Sequence, residues 1–206
     1  MKKVFSTAAY IAAAMLLSGC SKTVTPGPNE ANKRYFEAWM MKNHPEAEPS
    51  GLGIYVLEET EGEGVEVKDN GYVLVNYRTM DLEGNISSYT DATTAKQLGT
   101  YDNTAYYGPK FATTHKTTIQ AGLGDAIYGM KAGGYKKVII PSWLMTAKEF
   151  ETAQDYLNYY DEENSTSYSS TIYEIEIKDY TEDIDRWQID SMVRFFGNDK
   201  VMIDGT

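Results

Sequence analysis

Few side chains in this sequence can do covalent chemistry, and their spacing removes most of what they could do. There is one cysteine, Cys20, and two histidines, His44 and His115. A lone cysteine forms no internal disulfide, and two imidazoles without further thiols do not make the four-ligand set of a structural zinc. Hydroxyl and thiol nucleophiles mostly need a histidine base, yet neither histidine lies in a Gly-x-Ser-x-Gly turn or near the cysteine. His44 precedes Pro45 at an expected helix end and His115 sits among threonines on an expected strand, so both read as solvated or satisfied side chains. The run Asp161-Glu-Glu-Asn164 lacks the alternating ligands and central glycine of a calcium loop and reads as charged surface. No metal or cofactor is expected. What remains is recognition by apolar and aromatic groups, for which 17 tyrosines are available. Tyr106, Tyr107, Tyr159 and Tyr160 could stack on sugars, which gives one reading of the chain as a glycan-binding surface lipoprotein.

The elements that must position such groups follow from length and pattern. With 206 residues, 42% apolar and 24% charged, the chain fits one domain with short attachments. Its net charge is -11 and the charges are spread along the sequence, so a phosphate backbone finds no basic footprint and no nucleic acid is expected. Asn29 is placed to cap a helix over 30–43 that buries Tyr35, Phe36, Trp39 and Met40 before Pro45 stops it. Strands are expected over 52–58, 72–80, 111–119, 135–141 and 171–180, with a short helix over 125–130 whose Ala126, Ile127 and Met130 share a face. The Tyr-rich stretch 155–170 reads as a long loop with room for a helical turn. A last helix begins at Thr181, carries Ile184, Trp187, Met192, Phe195 and Phe196 as an apolar stripe, and ends at Gly197. The predicted fold class is α+β: a twisted antiparallel sheet wrapped around a short helix, with flanking N- and C-terminal helices.

Residues 1–19 have the form of an export signal: Lys2 and Lys3, an apolar run from Ala8 to Leu17 too short to span a bilayer, then Leu17-Ser-Gly-Cys20. That tetrapeptide resembles a bacterial lipobox, and the resemblance implies cleavage before Cys20 and lipid attachment to it; the alternative is an ordinary buried cysteine. Removing Lys2 and Lys3 leaves 17 basic against 30 acidic side chains, so lipid and not charge would hold the protein to a membrane. Residues 20–29 are polar and Pro-rich and read as a tether, and the lack of acidic residues just after the cysteine favours the outer membrane facing the periplasm.

Four short motifs stand in order along residues 51–180. Gly62-Glu-Gly64 is followed by Tyr72-Val-Leu-Val-Asn-Tyr77, then by Leu82-Glu-Gly84, then by the run from Ile119-Gln-Ala-Gly-Leu123 to Gly129-Met-Lys-Ala-Gly133, with Thr171-Ile-Tyr-Glu-Ile-Glu-Ile177 as a last strand. Together they resemble the FKBP-type peptidyl-prolyl cis–trans isomerase domain, while 30–44 and 181–206 lie outside the resemblance as a helix and a helix with a tail. The resemblance implies a proline pocket between sheet and short helix. It places Tyr77, Phe111 and Tyr173 on the pocket wall, Ile119 at its side, the backbone N–H of Gln120 as donor to a substrate carbonyl, and Leu123 on the floor. Asp91 and Thr146 would sit at the rim. Tyr77 and Tyr173 are equally compatible with ordinary half-buried strand positions.

The implied chemistry needs no acid, base or nucleophile. Rotation about an X-Pro bond crosses a barrier of about 18–20 kcal/mol without moving a proton. A catalyst must bind the twisted amide better than either planar form. A rate factor of roughly 10⁴ requires about 5.5 kcal/mol of such preference. Departures from the family cut into this. Its floor indole falls on Leu123, its tyrosine after the Ile-Pro strand falls on Thr146, and its Phe-Asp pair falls near Ser87-Ser88. Leucine offers about 1–2 kcal/mol less than an indole. The expected partners are Pro-containing segments of exported proteins, handled by an isomerase or isomerase-like folding factor, or bound without turnover by a module that kept the fold and lost the chemistry.

Overall fold

The computed structural model describes residues 29–159 and 169–196. The export signal, Cys20, the tether up to Pro28, Tyr160, the acidic run 161–164 and the tail from Gly197 lie outside the described residues. Among the described residues, seven strands form one antiparallel sheet: β1 (Pro49–Ser50), β2 (Ile54–Thr60), β3 (Tyr72–Met80), β4 (Ile86–Tyr89), β5 (Lys110–Thr113), β6 (Tyr135–Ile140) and β7 (Thr171–Thr181). Their order is β1-β2-β6-β7-β3, and the far edge of β3 is shared by β5 along its first half and β4 along its second. The helices are α1 (Glu30–Asn43), α2 (Ala92–Gln97), α3 (Ala121–Ile127), α4 (Ala153–Asn158) and α5 (Ile184–Phe196). The fold is the expected α+β arrangement, an antiparallel sheet packed on a short helix, with helices α1 and α5 flanking it.

Two cores occupy the two faces of the sheet. On β6, Val138 and Ile140 point inward with Ile175 and Ile177 of β7, toward Ala126 and Ile127 of α3. Ile139 and Ile172 point outward and are covered by Phe36 and Met40 of α1. Covering both faces is why Val138-Ile-Ile140, the second half of β6, is apolar at every position. The Phe36 ring meets Tyr55 and Trp143 edge-on at 5.6 and 5.5 Å, which fixes α1 across the outer face. Tyr35 does not join this stripe; it is 61% exposed.

Several boundaries differ from expectation for identifiable reasons. The short helix runs over Ala121–Ile127, earlier than the predicted 125–130, because Gly122 and Gly124 are helical despite their low propensity. A Cβ at Gly122 would stand 2.4 Å from Ile140 Cγ2, so glycine is what lets α3 lie against β6. Strand β5 stops at Thr113: Thr114 is fully buried, its hydroxyl accepts the Gly71 N–H at 2.9 Å, and the chain turns at His115. The last helix begins three residues later than Thr181, which closes β7, and Asp183 takes the cap position by accepting the Arg186 N–H at 2.9 Å. Of its apolar stripe Ile184 and Trp187 are partly buried, while Met192 and Phe195 are exposed. Asn29 holds the N-cap position of α1 but its side chain makes no capping bond; its amide donates to the carbonyls of Tyr159, Leu157 and Tyr156, at 2.8 Å for the shortest, and ties the helix start to the end of α4. Helix α4 itself, with a Thr152–Asp155 capping box, turns part of the stretch read as a long loop into a helix. Strands β1 and β4 and helix α2 are additional, each short and polar enough to lack a periodic signal.

Candidate ligand pocket between sheet and helix

Alternation along β3 places Val73, Val75, Tyr77 and Thr79 on the inner face, and β7 adds Tyr173, Ile175 and Ile177 beside them. Helix α3 contacts β6 and β2, the other half of the sheet. The β3 and β7 half is therefore left partly open beneath Ile119, Leu123 and Ile127, and a cavity of about 340 Å³ remains there. That size lies at the lower end of small-ligand pockets, roughly 300–1,000 Å³.

The cavity is graded. Around Val73, Val75, Ile127 and Ile177 it is hydrocarbon, whereas Tyr77, Thr79, Ser88 and Tyr173 bring hydroxyls to the other end. Thr79 and Tyr173 are direct cross-strand partners, and Ser88 Oγ donates to the Tyr77 hydroxyl at 3.4 Å. Tyr77 is held from behind: its N–H donates to Thr90 Oγ1 at 3.0 Å, and its carbonyl accepts the Thr90 N–H at 3.0 Å. Burial, with a smaller contribution from Tyr77, raises the Tyr173 hydroxyl above the usual tyrosine pKa, so it stays neutral and can donate. It does so to Gln120 Oε1 at 3.4 Å. Gln120 precedes α3 in extended conformation, and its own backbone N–H finds no acceptor among the described residues. No lining residue carries a charge. The pocket can enclose an apolar ring and offer neutral donors at its edge, and it has no group for proton transfer.

Four of the expected site residues, Tyr77, Ile119, Leu123 and Tyr173, line this cavity, and Gln120 is at its edge. Three do not line it. Phe111 pairs with Leu74 in a register that turns it to the outer face, where its ring meets Trp187 edge-on at 4.9 Å. Asp91 caps α2, accepting from the Thr94 N–H and hydroxyl, each at 2.7 Å. Burial works to raise its pKa, but those bonds and the Arg78 charge prevail and hold it below the usual carboxylate range. Thr146 is buried behind α3, its carbonyl accepting the Ala121 N–H at 2.7 Å. Among the described residues, β4 brings Ser88 and β5 brings Ala112 and Thr113 to the cavity, and neither adds a ring beside Leu123. Thr79 and Ile127 were missed, although alternation from Tyr77 along β3 points to Thr79 directly.

Of the tyrosines considered for sugar stacking, Tyr160 lies outside the described residues and the other three are engaged in separate contacts. Tyr107 stacks on Tyr101 at 5.3 Å, Tyr106 donates to the Pro109 carbonyl at 3.2 Å, and Tyr159 lies under the Lys148 ammonium at 4.5 Å. They do not present one open platform.

No family model matches this sequence, and no curated protein matches it. Solved structures do. FkpA from Escherichia coli is 20% identical, matched over 74% of this chain and 59% of its own with a TM-score of 0.45. A peptidyl-prolyl cis-trans isomerase from Pseudomonas syringae pv. tomato is 21% identical, matched over 76% and 98% with a TM-score of 0.48. The three FKBP domains of wheat FKBP73 are 20% identical, matched over 62% and 45% with a TM-score of 0.38. The chain thus spans less than two thirds of the FkpA and FKBP73 chains, and the assignment of the architecture rests on its own sheet order and on the placement of α3.

Proposed function

We propose that this protein binds proline-containing segments of exported polypeptides in the pocket between β3, β7 and α3, and that it is an FKBP-type peptidyl-prolyl isomerase of low efficiency acting as a folding factor. The observation that carries the reading is the uncharged recess with Tyr77 and Tyr173 on its wall and the unpaired Gln120 N–H at its edge. A pyrrolidine ring would occupy the apolar end and exclude water from the amide. The Gln120 N–H would donate to a carbonyl of the bound segment. As the amide twists it loses resonance, and an apolar wall tolerates that form while water, which solvates the planar dipole, does not. Low efficiency follows from Leu123, which supplies less contact than a ring and has none above it among the described residues.

Refolding of a substrate protein limited by X-Pro isomerisation tests this, with and without the full chain. Acceleration that grows with enzyme concentration supports the proposal. Binding of a proline peptide without acceleration would convert it to the non-catalytic module, which the bare Leu123 floor favours as the second reading. Absence of both rejects the pocket. The placement at a membrane is part of the same proposal and is tested separately: Cys20→Ser should move the protein from the membrane fraction to the soluble one.

A further inference from the structure

A second recess, of about 240 Å³, lies between the start of α3 and the segment leading into α4. Ile119 lines both cavities and stands between them. The second is lined by Leu52, Ala121, Tyr128, Phe150 and Tyr156. Phe150 is braced but half-buried: its ring stands edge-on to Tyr156 at 4.9 Å and its N–H donates to the Tyr156 hydroxyl at 3.2 Å. Charges around the mouth balance. Lys116 pairs with Glu149 at 3.9 Å, and Lys148 and Asp125 contribute one charge of each sign. Such a balance favours neither an acidic nor a basic occupant, whereas three rings and a leucine favour an aromatic one.

Resting on the proline-binding reading, we infer that this recess takes an aromatic side chain of the same polypeptide, two residues away from the proline held in the first pocket. In an extended segment, side chains two apart stand on one face about 7 Å from each other, roughly the thickness of a single intervening side chain. The strip between the cavities is Ile119–Gln120–Ala121, and the unpaired Gln120 N–H lies on it, where the linking backbone would pass. The second recess is thus a specificity site that selects among prolines by their neighbours.

Binding of fluorescent peptides with one proline among alanines, and of the same peptides with phenylalanine at each position from three before to three after the proline, tests this with the full chain. The expected result is about tenfold tighter binding with phenylalanine two residues from proline on one side. Phe150→Ala should erase that preference and leave the affinity for the all-alanine peptide unchanged. Because Phe150 braces Tyr156, Ala147→Trp, which fills the recess from a half-buried loop position, serves as a second variant and should do the same. Equal affinities at every position, a preference only at another spacing, or a preference that survives in both folded variants would overturn the inference. Failure of the all-alanine proline peptide to bind at all instead sinks the proline pocket itself.

Discussion

Replacing Leu123 by tryptophan tests how much the pocket floor limits this protein. Leu123 is half-buried on α3, and about 340 Å³ of open space lies between it and the wall of Tyr77 and Tyr173. An indole can enter that space without displacing the helix. It adds on the order of 60 Å² of apolar contact to a bound ring, which at ~25 cal/mol per Å² is about 1.5 kcal/mol. That corresponds to roughly a tenfold change. Contact made equally with the planar and twisted amide tightens binding and raises kcat/KM without raising kcat. Refolding at low enzyme concentration reads kcat/KM, and peptide anisotropy reads affinity. Leu123→Trp should improve both by about tenfold, and Leu123→Ala should weaken both. If the tryptophan variant is folded and neither quantity changes, Leu123 is not the floor of a proline site. A rise in kcat as well would show that the floor distinguishes twisted from planar amide.

Three further outcomes follow from the same geometry. Burial raises the Asp125 pKa against the opposing Leu52 N–H at 2.8 Å and the Lys136 charge, so the native state holds that proton more tightly than the unfolded chain. Its contribution is then greatest below the unfolded value, about 3.9, and is lost as pH rises through the native one; Asp125→Asn, which can still accept from Leu52, should raise the urea midpoint at pH 7 and have little effect at pH 3, and an equal effect at both would refute the reasoning. Trp187 anchors α5 through its indole N–H to Asp179 at 2.7 Å and its edge contact with Phe111, so Trp187→Ala should release protease cleavage within 184–196 while leaving proline-peptide affinity intact. Gly122→Ala places a methyl 2.4 Å from Ile140 and should cost about 1–3 kcal/mol in denaturant unfolding, with peptide affinity falling as α3 shifts toward the cavity; unchanged stability would contradict the close approach.

How much of this was legible in the sequence depended on periodicity. The Tyr72–Met80 strand has its predicted bounds, and β6 and β7 end within a residue of expectation, β6 because Val138-Ile-Ile140 is apolar and β7 because Ile172, Ile175 and Ile177 are interleaved with charged residues. Helix α3 was misplaced because its glycines read as turn residues, while their reason, close approach to Ile140, is tertiary. Tyr77, Ile119, Leu123 and Tyr173, picked out by motif order, line the cavity, whereas Phe111, expected on its wall, lies on the other face. A strand of four residues paired to one half of β3 has a register that only the partner determines, and a one-residue difference inverts every side chain. Asp91 and Thr146 show the other limit: each has a polar side chain that a pocket could use, and each uses it locally, Asp91 as a helix cap and Thr146 Oγ1 as acceptor of the Lys148 N–H at 3.1 Å.

The cavity itself is a consequence of where α3 rests. An inward-facing sheet of valines and isoleucines would normally be filled by the helix it wraps, since a void forfeits contact on both sides. Here the glycine at position 122 draws α3 onto β6, and the Ala121 N–H bond to the Thr146 carbonyl holds its first turn there. The helix then covers β3 and β7 only in part. What would be an uncovered patch of core becomes a recess whose open end is occupied by tyrosines and small hydroxyls, residues that tolerate water when the pocket is empty and hydrocarbon when it is filled. The apolar side chains of β6 are packed on both faces of the sheet, whereas Tyr77, Leu123 and Tyr173 border the recess. Substitutions on β6 should act on unfolding first, and substitutions at Tyr77, Leu123 or Tyr173 on ligand affinity first.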